Sequence, residues 1–289
     1  MTPLALGLVL AAALLHATWN LLAKRARGGA EFVWLFASLT LLAYAPAVVL
    51  YLILARPALL WIQVGFAAVS SVLHVAYFVT LQRGYRVGDL SLVYPLARGS
   101  GPALATVLAV AVLGERPGAL GLAGAGLVVL SVFVLTGGAL GGGVHGGTQQ
   151  RPAVLLGLVT GLFIALYTVW DGYAVGRLGA PPLLFSYLSE AGRALLLLPV
   201  AWRGRAAVAS AWRESRREAI GIAVLSPLAY ILVLTAMTFT PISLVAPARE
   251  ISILVGTLLG TRLLAEGHGA RRLLGAAGMV AGITLLALA

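Results

Sequence analysis

The 289-residue chain contains no cysteine. Disulfides, thiolate metal sites and cysteine nucleophiles are therefore excluded. Charge is scarce as well. Asp, Glu, Lys and Arg together make up 10% of the residues, and acids are the rarer sign, nine against 20 bases. A soluble domain covers its surface with roughly 25–35% charged residues, so this chain cannot be one. No glycine-lysine phosphate loop is present, which argues against a nucleotide site. The apolar segments carry neither a His/Asp/Glu metal-ligand spacing nor a nucleophile–base set, so a membrane enzyme, for example one acting on lipids, is disfavoured. Nothing in the sequence calls for a cofactor.

What is present is apolar: 61% of the residues are hydrophobic, and the mean hydropathy is +1.00. Ten apolar spans run roughly over 3–23, 31–54, 60–82, 89–113, 117–137, 152–175, 181–202, 219–239, 242–264 and 271–288. Each is near the length of about 20 residues that a bilayer requires. The expected fold is all-α and integral to the membrane, with the lipid bilayer as partner. The first span could be mistaken for a secretory signal. However, Leu4 to Leu15 has no basic residue before it, and Lys24, Arg25 and Arg27 follow it. That order is the reverse of a signal peptide, so the segment reads as a first transmembrane helix with its N-terminus outside. The net charge of +11 is not a nucleic-acid signal. The bases sit in short connections, where they orient helices.

The glycine-rich stretch from Gly137 to Pro152 splits the chain into two halves that resemble each other. The expected organisation is a first five-helix repeat over 1–138, a linker over 139–151 and a second repeat over 152–289. "HATWNLLA" aligns with "YTVWDGYA", "SLVYPLAR" with "SLVAPAR", and "LGERPG" with "LAEGHG". Trp19 and Trp170, Arg98 and Arg249, and Glu115 and Glu266 all stand 151 residues apart. An odd number of helices per repeat forces opposite orientations, and the charges agree. Odd-numbered loops hold 14 of the 20 Lys and Arg, even-numbered loops hold 3, and the bias inverts between the halves. By the positive-inside rule both termini face outside.

These features together resemble the drug/metabolite transporter superfamily, EamA type: two inverted sets of five helices, "W-N" and "W-D" ending each first helix, and "L-G-E-R" and "L-L-A-E" closing each fourth. The resemblance covers essentially the whole chain. It implies a multi-pass protein of the cell (inner) membrane that moves small molecules. Bacterial members are mostly exporters of amino acids or other small metabolites, and relatives move sugar phosphates and nucleotide sugars. Many members have cytoplasmic termini, whereas the charge bias here places them outside.

Candidate site residues follow from the cost of polarity in hydrocarbon. Substrate sites in inverted-repeat transporters lie near the midplane, often at helices broken by Pro or Gly. The fourth helix of each half fits, with Pro95, Gly99, Gly101 and Pro102 in one and Pro241, Pro247 and Gly256 in the other. Arg98 lies roughly 14 Å deep at ~1.5 Å per residue, and Arg249 approaches from the opposite face. Guanidinium cannot be neutralised and grips carboxylate or phosphate with two prongs. Glu250 adjoins Arg249, but adjacent helical positions point apart, so it is expected to serve another partner. Arg98 has no acidic neighbour in sequence. Glu190 and Arg193, at i and i+3, read as a neutralised pair on one helix face.

Tyr94, Tyr77, Tyr230, Trp19, Trp170 and Asn20 are candidates to hold the rest of a substrate, or else to pack helices and form the interface belt. His16 and His74 are candidate proton carriers, as are the carboxylates Asp171 and Glu250. Glu115 and Glu266 read as solvated, or as part of a contact between copies. "GLAGAGLVV" and "GAAGMVAG" carry small-residue spacings that let helices approach, within the chain or in a homodimer. The basic stretch from Arg203 to Glu218 reads as a connection lying on anionic lipid.

The expected function is a secondary transporter, and an exporter in particular. Its substrate would be a small anionic or zwitterionic metabolite, such as an amino acid or an organic or phosphonic acid. The alternative is a multidrug exporter of lipophilic cations. Such an exporter relies on a membrane acid in its first helix, where this chain has only His16 and Asn20.

Overall fold

In the computed structural model, long apolar runs coil into helices because main-chain polar groups can satisfy one another only in that way when water is absent. The structure describes all residues except 27–28, 59, 88–89, 137–149 and 256–269. The first half contributes α1 (Pro3–Arg25), α2 (Ala30–Ala55), α3 (Trp61–Val87), α4 (Leu90–Leu113) and α5 (Gly118–Thr136). The second contributes α6 (Gln150–Gly176), α7 (Pro182–Arg203), α8 (Arg205–Met237), α9 (Ile242–Ala248) and α10 (Ala270–Leu288). Local signals set many of these ends. Thr2 caps α1, its hydroxyl accepting from the Ala5 amide at 3.2 Å, and Pro3 opens the helix. Proline also opens α7, where its missing N–H would have had no partner anyway.

Among the described residues, eight helices are long and apolar enough to cross a membrane. Their outer faces carry large apolar side chains that a water-soluble protein would bury: Leu42, Leu54, Trp61, Val112 and Trp202 are all more than two-thirds exposed. The protein is a multi-pass membrane protein.

Helices of the two halves pack in exchange-related pairs. α1 lies on α8 as α6 lies on α3, and α2 meets α8 as α7 meets α3. α2 pairs with α7, α4 with α9, and α5 with α10. The last contact settles the small-residue stripes as packing within the chain. A Cβ placed on Gly124 would stand 2.8 Å from the Gly282 carbonyl oxygen, so only glycine permits this approach of α5 and α10.

Three expectations about boundaries need correction. The basic stretch from Arg203 to Glu218 is not a loop, because α8 begins at Arg205 and runs through it, bent at Ser215 (φ −133°, ψ 31°). Gly204 separates α7 from α8, and from Arg205 onward the stretch is rich in alanine and holds no proline or glycine to end the helix. Ala211 and Val208 pack against Phe32 and Leu35 of α2. α3 likewise continues to Val87, which places Arg83 and Arg86 on a helix. The ninth apolar span is interrupted. α9 ends at Ala248, Arg249 and Glu250 form a turn, and helix resumes over 251–255. Proline at 247 supplies the physical cause, since it cannot donate to the carbonyl four residues back.

Candidate functional site

Freed carbonyls mark where the helices bend, and hydroxyls from the other half meet them. Pro227 leaves the Ala223 oxygen free, and the Thr40 hydroxyl donates to it at 3.0 Å. Pro247 leaves the Ser243 oxygen free, and the Thr106 hydroxyl, bonded to the Pro102 oxygen at 2.9 Å, also lies 3.5 Å from it. The amides at the start of α9 are met from the first half too. Gly114, left-handed at φ 69°, turns the chain at the end of α4. Glu115 then accepts from the Ile242 and Ser243 amides at 2.9 and 2.8 Å. Two of the four orphan N–H groups of a helix start are thereby satisfied. Glu115 is therefore a cap within the chain, neither freely solvated nor a contact between copies. Glu266 lies outside the described residues, as does Gly256.

Around this break the charged side chains converge. Among the described residues, Arg98, Asp171, Glu190, Arg249 and Glu250 are buried, and Arg193 is largely so. Arg98 and Glu250 form an ion pair with Nη2 and Oε2 2.9 Å apart. This corrects the expectation that Arg98 lacks an acidic partner. The partner lies 152 residues away along the chain, and Glu250, expected to serve a partner other than Arg249, serves Arg98 of α4. Tyr94, one turn before Arg98, directs its hydroxyl to the same guanidinium. Glu190 and Arg193 pair at 3.2 Å, as the i, i+3 spacing predicts.

Two groups remain. Arg249 has no ion-pair or hydrogen-bond partner among the described residues, and its Nε is buried. It lies within electrostatic reach of His16, His74, Asp171 and Tyr230. Asp171, fully buried, accepts a hydrogen bond from the Tyr230 hydroxyl on one carboxylate oxygen. Its Oδ1 has no hydrogen-bond partner among the described residues, with the Ser70 hydroxyl close by.

Aromatic rings form the walls. His74 stacks on Tyr167 with centroids 4.2 Å apart and meets Tyr230 edge-on at 5.6 Å. Tyr77 meets Tyr167 edge-on at 5.8 Å. The Nδ1 of His74 lies 2.9 Å from the Ser70 carbonyl oxygen. A carbonyl only accepts, so Nδ1 carries the proton and Nε2 is left as an acceptor.

The remaining candidates are placed as follows. His16 meets Trp19 edge-on at 4.8 Å, and the Trp19 indole N–H is buried without a partner among the described residues. Asn20 donates to the His16 carbonyl at 2.7 Å. Trp170 stacks on Phe66 at 4.0 Å and donates to the Phe66 carbonyl at 2.9 Å, which fastens α6 to α3. Sequence reading gave Tyr167 no role of its own, although it stands 151 residues from His16 and that offset was the available signal. Ser70, beside Asp171, had no signal. Among the described residues, no three His, Cys, Asp or Glu side chains gather as a metal site would need.

The sequence profile of the EamA-like transporter family matches residues 3–137 and again 151–288. The chain belongs to the EamA-like transporter family. It is therefore a membrane transporter of the drug/metabolite transporter superfamily, built from two EamA repeats. A solved crystal structure shares the fold, with a TM-score of 0.76 and 17% identity over 98% of each chain. No curated protein matches the chain in sequence.

Proposed function

We propose that this EamA-like transporter exports a small zwitterion, an amino acid in the simplest case, across the cell (inner) membrane by alternating access. One observation carries the reading. Of the three arginines and three acids gathered in the bundle among the described residues, two pairs are matched, and Arg249 and Asp171 are left over beside the same aromatic walls. One unmatched charge of each sign complements a carboxylate and an ammonium on one molecule. Arg249 takes the carboxylate with its fork, Asp171 takes the ammonium, and Tyr77, Tyr94, Tyr167 and Tyr230 border the remainder. A dianion would leave Asp171 facing like charge. A lipophilic cation would meet Arg249 and Arg193, both within electrostatic reach of Asp171.

In this reading the ten apolar spans form two inverted sets of five, and the halves rock about the site. The exchange-related packing of α1 on α8 and α6 on α3 supports that topology. Arg98, held by Glu250, joins α4 to the turn after α9 and adds positive potential near the carboxylate. Trp19, with its unpartnered indole N–H, and Asn20 border the same end as His16.

The test is a melting-temperature screen of the detergent-purified protein. Amino acids should stabilise it more than dicarboxylates, phosphonates or quaternary ammonium ions. Arg249→Ala and Asp171→Asn should each abolish that gain. Stabilisation by quaternary ammonium ions alone would favour the multidrug alternative.

A further inference from the structure

Glu190 also borders a second polar cluster, joined to the Arg249–Asp171 centre through Arg193. Thr40 and Tyr44 of α2, Leu183, Ser186, Tyr187 and Glu190 of α7, and Pro227 and Ile231 of α8 line a tight seam without room for a water molecule. The four α7 residues stand at i, i+3, i+4 and i+7. They form one stripe leading from the second residue of the helix down two turns to the carboxylate. By the loop-charge bias that end of α7 is external.

The chemistry of the lining is one-sided. Thr40, Tyr44 and Tyr187 donate their hydroxyl protons to the carbonyls of Ala223, Val224 and Leu41, at 3.0, 2.6 and 3.3 Å. What they can offer the cleft is lone pairs. Glu190 is 8% exposed, and only Oε1 meets Arg193. Its Oε2 is buried without a partner among the described residues. The lone pairs of these three hydroxyls and the free Glu190 oxygen are hard donors that suit a small cation, and a seam this tight excludes an organic one.

We propose that this cleft is a binding site for a small monovalent cation, sodium or a proton, that neutralises Glu190 and couples to transport. The coupling rests on the zwitterion reading, whereas the cation site does not. Arg193, the partner that the cation would displace, lies within electrostatic reach of His74 and Asp171. Tyr44 from α2 is the titratable group that faces the cleft from the neighbouring helices, and α8 presents only Pro227 and Ile231 there. A cation on Glu190 loosens the Glu190–Arg193 pair and turns Arg193 toward Asp171, where it competes with a substrate ammonium. Cation entry and substrate departure then go together, as exchange requires.

The experiment uses the full chain in detergent and compares sodium, potassium and N-methylglucamine chloride at equal ionic strength, then a pH series in N-methylglucamine chloride. Binding to the folded state alone raises the melting temperature saturably. A saturable rise with sodium at fixed pH that Glu190→Gln abolishes identifies sodium. A rise on acidification without a sodium effect, again lost in Glu190→Gln, identifies the proton. No response of the wild-type protein to either cation, or a response that survives Glu190→Gln, overturns the site. Should that variant fail to fold, Ser186→Ala leaves the ion pair intact and decides in its place. An apparent affinity weakened about tenfold, or 1.4 kcal/mol, supports the site, and an unaltered midpoint overturns it. The amino-acid screen is run in N-methylglucamine chloride at fixed pH, so either reading can fail alone. Adding the cation should then shrink the amino-acid gain. An unchanged gain overturns the relay through Arg193.

Discussion

Arg98 on α4 and Glu250, just beyond α9, meet at 2.9 Å across the two halves of the chain, both withdrawn from solvent. Removing one partner of such a buried pair strands the other at a cost of about 3–5 kcal/mol. Arg98→Ala and Glu250→Ala should each lower the melting temperature sharply. The double variant should recover most of the loss. If the double variant instead melts where the sum of the two singles places it, the contact is not a coupled pair.

Glu115 holds the start of α9 with both carboxylate oxygens. Glu115→Ala leaves two amides without partners and should cost about 1–2 kcal/mol, the usual range for a lost helix cap. Because α9 leads directly to Arg249, the same change should weaken amino-acid stabilisation more than Arg116→Ala, a neighbouring control. Equal effects of the two variants would show that the cap does not position the site.

Glycines 124 and 126 lie two residues apart on α5 but face different surroundings. A methyl group on Gly124 would press on main-chain atoms of α10, whereas around Gly126 nothing lies within 4 Å. Gly126→Ala should be neutral or stabilise by about 0.5–1 kcal/mol, the helix preference for alanine. Gly124→Ala should destabilise, as overpacking does by about 1–3 kcal/mol. Like behaviour of the two would place the α5–α10 contact elsewhere.

Orientation is open to a direct measurement. The 14-to-3 distribution of bases between odd and even loops predicts termini outside the cytoplasm. A C-terminal reporter that works only in the cytoplasm should be silent. Strong activity would reverse the topology and move the Glu190 cleft entrance to the cytoplasmic side, leaving the packing untouched.

Repetition in the sequence was enough to mark Arg98, Arg249 and Asp171, because the two repeats carry matched residues at one offset; the expected break holds in the second repeat alone, since α4 runs unbroken from Leu90 to Leu113 despite its prolines and glycines. The Glu190–Arg193 pair was legible too, since helical spacing alone puts i and i+3 side by side. Hydrophobic length and loop charge also sufficed for the class of protein, because hydrocarbon excludes polar backbone regardless of packing. Partnerships over long separations were not legible. Glu250 was expected to turn from Arg249 to another partner, and only the folded chain shows that this partner is Arg98 on α4. Glu115 looked solvated beside Arg116, until the folded chain brought the start of α9 against it. The role of the α5 and α10 glycines needed the two helices in contact, since the same spacing serves packing within a chain or between chains. Periodicity and cost of burial act locally and can be read along a sequence. Which unmatched charge meets which depends on where helices from opposite halves cross, and only the tertiary structure decides that.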